Sequence, residues 1–262
     1  MTVIDAWLDL PAVWLFLSLL LFYGTAAAVL AWLAFRSPLG ERIRRCSGVV
    51  APFFSSVAVL FALLTGFLAS DIAERNRQAW RSVNNEASAI ASVNTLGLAA
   101  ASDTTALRAA LQAYAETVLA DEWPKMAEGL HSSRTGQALR ALLRQAADPA
   151  IARESGQAVH NTLLGAVMRI RDARADRLAL ASDRTNDVKW ATVLILGLMT
   201  QIAIALVHLE KPRAHMAALT VFSLAAIVAL GLIALQEQPF KGALRVSPAP
   251  LQRAVALIVP PP

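Results

Sequence analysis

The residue types that carry most protein chemistry are sparse in this chain. None of its four histidines (His131, His160, His208, His215) stands at metal-ligand spacing from another ligand residue, and the one cysteine, Cys46, excludes an internal disulfide and a two-cysteine metal site. The glycine patterns that cradle phosphates, the GxSxG nucleophile turn and the HExxH metal helix are all missing from the sequence. No catalytic site, metal or cofactor is therefore expected, and the chain does not read as an enzyme. The informative polar residues are those embedded in apolar runs. Thr200 and Gln201 fall near the middle of one such run, and His208, seven residues on, shares the face of Gln201. Polar groups in hydrocarbon are costly and normally face protein or water. His208 and His215 flank a short loop and are expected near lipid headgroups.

A second apolar run carries two neighbouring faces. Ser55, Ala62, Gly66 and Ala69 make a small-residue face, the kind that lets membrane helices approach closely. Beside it lie Phe54, Ala58, Phe61, Thr65 and Leu68. With the small face packed on another helix, the aromatic face is free to line an axis, where Phe54 and Phe61 would form hydrophobic constrictions and Thr65 a polar ring. The bland alternative makes both phenylalanines ordinary core.

These residues need membrane-spanning elements to hold them. Hydrophobic residues make up 56% of the 262 and charged residues 16%, against about 25% charged in a typical soluble domain. Four stretches, 10–35, 46–70, 190–209 and 214–236, hold no Asp, Glu, Lys or Arg. Each reaches the roughly 20 residues that a helix needs to cross a hydrocarbon core of about 30 Å. The first is far longer than a signal-peptide core and lacks basic residues before it, so it is read as retained. The fold class is an all-α membrane protein: four transmembrane helices with a helical-bundle extramembrane domain, 71–189, between the second and third, and a C-terminal tail, 237–262.

The net charge of +5 is unevenly spread. Segment 71–189 holds 15 basic and 14 acidic residues, which excludes the basic face of a nucleic-acid-binding domain. The surplus lies in short loops, with Arg36, Arg42, Arg44 and Arg45 in the first and Lys211 and Arg213 in the last. By the positive-inside rule these loops are cytoplasmic, which places both termini and the middle domain outside the cytoplasm. Lys241, Arg245 and Arg253 in the tail vote weakly the other way.

Good helix formers dominate 71–189. Trp80, Val83, Ala87, Ile90 and Asn94 form an inward stripe on a helix continuing from the second span. A second helix carries Leu107, Leu111, Tyr114 and Val118 and should end before Pro124, and a third carries Leu139, Leu142 and Leu143. A last helix starts near Ile151 and is expected to run directly into the third span. Arg177 sits in its inward stripe, at a height matching Glu86 on the partner helix. Either Arg177 snorkels to water, or it pairs with Glu86 to fix register, with Arg174 as the substitute.

Several short motifs occur in a telling order: Gly66-Phe67-Leu68, Asn85-Glu86-Ala87, Glu122-Trp123-Pro124, Arg174 with Arg177-Leu178, and Pro239-Phe240-Lys241-Gly242. In these the chain resembles the bestrophin-like family of bacterial membrane proteins, which is distantly similar to the bestrophins, pentameric anion channels with four spans per subunit. The resemblance implies a homo-oligomer in a bacterial inner membrane, a pore lined by the second span, and inorganic ions as the passengers. It implies a cytoplasmic middle domain, opposite to the loop arginines. The leading expectation is an oligomeric, anion-preferring channel. The runner-up is a non-conducting sensor or scaffold whose helical domain binds a partner.

Overall fold

The computed structural model describes residues 2–44, 51–242 and 244–258, with backbone alone at Arg44, Ala51 and Phe53. Arg45, Cys46 and the start of the expected second span lie outside the described residues, as does 259–262. All regular structure among the described residues is helical. In chain order the helices are α1 (Val3–Leu8), α2 (Ala12–Phe35), α3 (Gly40–Arg44), α4 (Ala51–Ala99), α5 (Thr105–Thr117), α6 (Trp123–Met126), α7 (Ser133–Ala146), α8 (Pro149–Ser155), α9 (Gln157–Ser182), α10 (Asp187–Val207), α11 (Pro212–Ala234) and α12 (Ala249–Ile258). A π-helical turn, Val118–Glu122, joins α5 to α6. Among the described residues, four helices are long and apolar enough to cross a membrane: α2, α4, α10 and α11.

The chain divides into two compact units. The first comprises Met1–Glu74 and Thr185–Glu237 and holds α2, α10, α11 and the first half of α4. Its core gathers Leu15, Leu19, Tyr23, Leu68, Ile72, Trp190, Val193 and Leu230. Helices in this unit approach closely where side chains vanish. At Gly231 an added Cβ would stand 2.3 Å from the ring of Phe16. Outward lie Trp14, Leu21, Trp32, Ile195, Val221 and Val228, all exposed. Water would penalise so much bare apolar surface, whereas hydrocarbon does not.

The third span begins with its own cap rather than as a continuation of α9. The Asn186 side chain accepts from the Val188 N–H at 2.8 Å, and Thr185 N–H donates to the buried Glu237 carboxylate at 2.7 Å. Trp190 Nε1 donates to the other Glu237 oxygen at 3.2 Å. The expected unbroken helix is therefore interrupted over 183–186.

The second unit comprises Arg75–Arg184 and Gln238–Pro262. Val83, Ile90 and Val93 of α4 meet Leu107, Leu111 and Tyr114 of α5, Leu142 of α7, and Leu163, Val167 and Ile170 of α9. Trp80, assigned to the inward stripe, is 58% exposed, and Ala79 takes the buried position one residue earlier. Flanking Arg77 and Arg81 keep that side of the helix wet. The second helix, α5, ends at Thr117, before Pro124, although Pro124 is not what stops it. The proline sits in the first turn of α6, where the missing N–H is not needed, directly after the π turn. The tail is folded: α12 buries Leu251, Ala254 and Ile258 in this core, and Asn94 Nδ2 donates to the Leu257 carbonyl at 3.1 Å.

Candidate functional site

The first half of α4 presents two opposite faces. Phe54, Phe61 and Leu68 turn into their own unit, with Ala58 and Thr65 half-buried beside them. The Phe61 ring lies 5.6 Å from that of Phe222 on α11, which in turn stands 6.5 Å from Tyr23 on α2. Of the residues expected to line an axis, Leu68 is thus buried in the core of the unit, and Phe54 and Phe61 are half-buried against it. The physical reason is contact area: aromatic and aliphatic side chains fill the space between four helices, which small residues cannot. Ser55, Ala62 and Gly66, expected to pack, are exposed, and nothing approaches within 4 Å of where a Gly66 Cβ would sit.

On the far side of the same helix, Val59 is 63% exposed, Leu63 51% and Phe67 58%. They step by four, making one stripe. Leu63 stands nine residues after Phe54, which at about 100° per residue is half a rotation. The stripe is therefore diametrically opposed to the half-buried aromatic face. Nothing in the sequence distinguishes it, since either face of an apolar helix can be turned to the core.

In the second unit a charged network is buried except at Arg174, which stays partly exposed. Glu86 of α4 accepts from Arg177 Nε at 2.6 Å and Nη2 at 3.0 Å, and from the Tyr114 hydroxyl at 2.6 Å. Glu86, Arg177 and Glu122 are each 0% exposed. Arg174 turns to Glu122 rather than Glu86, donating from Nε at 3.0 Å and from Nη2 at 2.5 Å, while Arg177 Nη2 also reaches Glu122 at 3.1 Å. Ser132 N–H donates to Glu122 at 3.3 Å, and Arg177 Nη1 points at the Met126 sulfur. Two carboxylates face two guanidiniums, so the cluster is neutral and bidentate on both sides. Burial pushes the Glu122 carboxyl up, but the Arg174 hydrogen bond and both guanidinium charges bring it below its ordinary range. Burial works against the Arg177 charge, and the Glu86 carboxylate more than offsets it. Desolvation, then the Glu86 charge, holds the Tyr114 hydroxyl well above its usual value.

Glu122 reaches this network because the π turn ends on it. The Thr135 hydroxyl donates to the Thr117 carbonyl at 3.2 Å, where the widened turn begins. π turns cluster at functional positions and shift helical phase. Trp123, the next residue, lies with its ring 5.8 Å from the Arg177 guanidinium and 5.7 Å, edge to face, from Phe240 beyond the fourth span. The Glu-Trp-Pro motif was visible in the sequence, but its role as the network's second acid was not.

Inside the spanning unit, Gln201 is buried and its Nε2 donates to the Tyr23 carbonyl at 3.0 Å and to Ser223 Oγ at 2.8 Å. The Thr200 hydroxyl returns to its own helix at Leu196 O, 2.8 Å away. His208 caps α10, with Nδ1 3.1 Å from the Ile204 carbonyl, and does not join Gln201 in one site. His215 is buried with its ring 5.0 Å from that of Phe35. Among the described residues no cluster of His, Cys, Asp and Glu could hold a metal ion.

Three comparisons with known proteins bear on this arrangement. A family model described as the Bestrophin-like domain matches residues 21–251. Among solved structures, a tryptophan-to-alanine variant of a bacterial bestrophin homologue from Klebsiella pneumoniae superposes with a TM-score of 0.69 at 14% identity, covering 93% of this chain and 96% of that one. Another structure of a bestrophin homologue from the same organism gives 0.63 at 15% identity, covering 93% and 95%. No curated protein is detectably similar in sequence.

Proposed function

Since the chain belongs to the Bestrophin-like family, whose characterised members are anion channels, we propose that it is one subunit of an oligomeric, anion-preferring membrane channel. Four spans enclose no generous pore alone, so the conduction path lies on an axis between copies. The observation that supports this most is the bare stripe of Val59, Leu63 and Phe67 on the helix whose opposite face is committed to its own unit. In an oligomer these side chains form stacked hydrophobic rings, which gate by dewetting. Phe54, Phe61 and Leu68 hold the lining helix from behind. The segment 71–189 is extramembrane, and the loop arginines assign it to the side opposite the cytoplasm.

Ion flux into liposomes carrying the purified protein tests this reading. Phe67→Ala should raise flux several-fold over wild type, with chloride or nitrate passing more readily than sodium or potassium. Phe61→Ala should act through stability instead, because that ring packs against the core of its own unit. Absence of flux from wild type and Phe67→Ala, with anions and cations both tried, would sink the channel and leave a sensor or scaffold.

A further inference from the structure

A groove of about 420 Å³ runs between α4 and α10 within the spanning unit. Leu64, Phe67 and Leu68 form one wall, and Val188 and Val193 the other. At one end the apolar walls stop at Asp71 and Lys189, whose carboxylate and ammonium meet at 2.5 Å. These are also the first charges beyond the two apolar runs, so the groove straddles the boundary between hydrocarbon and headgroups. From Leu64 to Asp71 the helix rises about 10 Å. The volume falls in the range of small-molecule sites, roughly 300–1,000 Å³.

The charged end decides what fits. Lys189 and Asp71 are 54% and 48% exposed. An ammonium carries three donors and a carboxylate two acceptor oxygens, so the pair keeps capacity for further partners. A purely anionic head placed on Lys189 would meet the Asp71 charge. A head bearing both signs satisfies both residues, phosphate toward Lys189 and ammonium toward Asp71. Basic positions between membrane helices are established headgroup contacts, and the adjacent acid adds discrimination.

We propose that this groove is a binding site for a phospholipid with a zwitterionic head, a primary ammonium beside its phosphate, whose acyl chain lies along Leu64, Leu68 and Val193. The site flanks the bare stripe at Phe67, and an occupied groove braces that ring from the side.

Native mass spectrometry of the detergent-solubilised full-length chain, titrated with phosphatidylethanolamine or phosphatidylglycerol of matched chains, tests the assignment. Wild type should bind the ethanolamine lipid about fivefold more tightly, the worth of one exposed ion pair near 1 kcal/mol. Asp71→Asn should bring that ratio to about one, and Thr192→Trp, which fills the groove, should weaken both lipids. Equal binding of the two lipids by wild type, or a preference that survives Asp71→Asn, overturns the proposal even if Thr192→Trp does not fold. So does efficient cross-linking between copies of Phe67→Cys/Val188→Cys in a Cys46→Ser background, because a second copy would then occupy the groove.

Discussion

Tyr23 lays its phenolic oxygen against the α-carbon of Gly197, where an added Cβ would stand only 2.1 Å from it and 3.0 Å from the ring. Tyr23 is fully buried, and its ring leads through Phe222 to Phe61 on α4. Glycine at this point lets α10 approach α2 and sets where the aromatic ladder behind α4 stands.

Gly197→Ala should therefore be destabilising by about 1–3 kcal/mol, the usual cost of overpacking. Thermal unfolding in detergent measures it. Gly24→Ala is the control, since nothing lies within 4 Å of its added Cβ, and an equal loss there would remove the explanation. Tyr23→Phe, which deletes the clashing hydroxyl, should restore part of the loss at Gly197.

Arg177→Met should cost about 3–5 kcal/mol, because Glu86 and Glu122 are left as buried charges facing Arg174 alone. The double variant Glu86→Leu/Arg177→Met should be more stable than either single one, since an apolar pair strands less charge. Additive losses in the cycle would mean that the two side chains are not coupled.

Glu122 makes the second unit acid-sensitive. Its carboxyl sits below the ordinary value of 4.5 despite burial, because Arg174 and Arg177 favour its charge. A carboxylate depressed in the folded state stabilises fully above its unfolded pKa, and that contribution is lost as pH falls through the lower, folded value. Unfolding temperature should drop on going from about pH 5 to about pH 3, and Glu122→Gln should flatten that slope while lowering stability at neutral pH. An unchanged acid slope in Glu122→Gln would show that other carboxylates control it.

The charge asymmetry of the short loops predicts that Arg42 and Arg44 face the cytoplasm and 71–189 the other side. In a Cys46→Ser background, a cysteine at Leu130 should react with an impermeant thiol reagent added to intact cells, and one at Pro38 should not. The reverse labelling would place the second unit in the cytoplasm.

The elements legible from sequence were those governed by charge spacing and regular helical phase. Uninterrupted apolar runs gave four helices long enough to span, and Glu86 could be set beside Arg177 because α4 and α9 are regular on both sides of the contact. Glu122 was invisible as their partner because the π turn breaks the phase on which such arithmetic depends. Trp80 steps by three onto Val83 and so fits the stripe, but Ala79, a step of four away, is the residue that is buried, and Arg77 and Arg81 stand beside Trp80. The choice between the two faces of α4 could not be made at all, since an apolar helix in lipid has no wet side to mark its orientation. The break at 183–186 carries neither glycine nor proline, and its signal was a single Asn186 cap.

The π turn also says something about insertions and deletions. From Thr105 to Met126 the backbone stays helical, lengthened at Val118–Glu122 by one residue relative to a plain α-helix. Deleting that residue would leave an unbroken helix with ordinary hydrogen bonding, a change that looks harmless locally. Everything beyond it would rotate by about 100°, carrying Glu122 away from Arg174 and Ser132 and Trp123 away from Phe240. A length difference of one residue at this spot is thus not the neutral variation seen in loops. Chains that keep the charged network must keep the extra residue, so alignments within the family should show no single-residue gap there wherever both arginines persist.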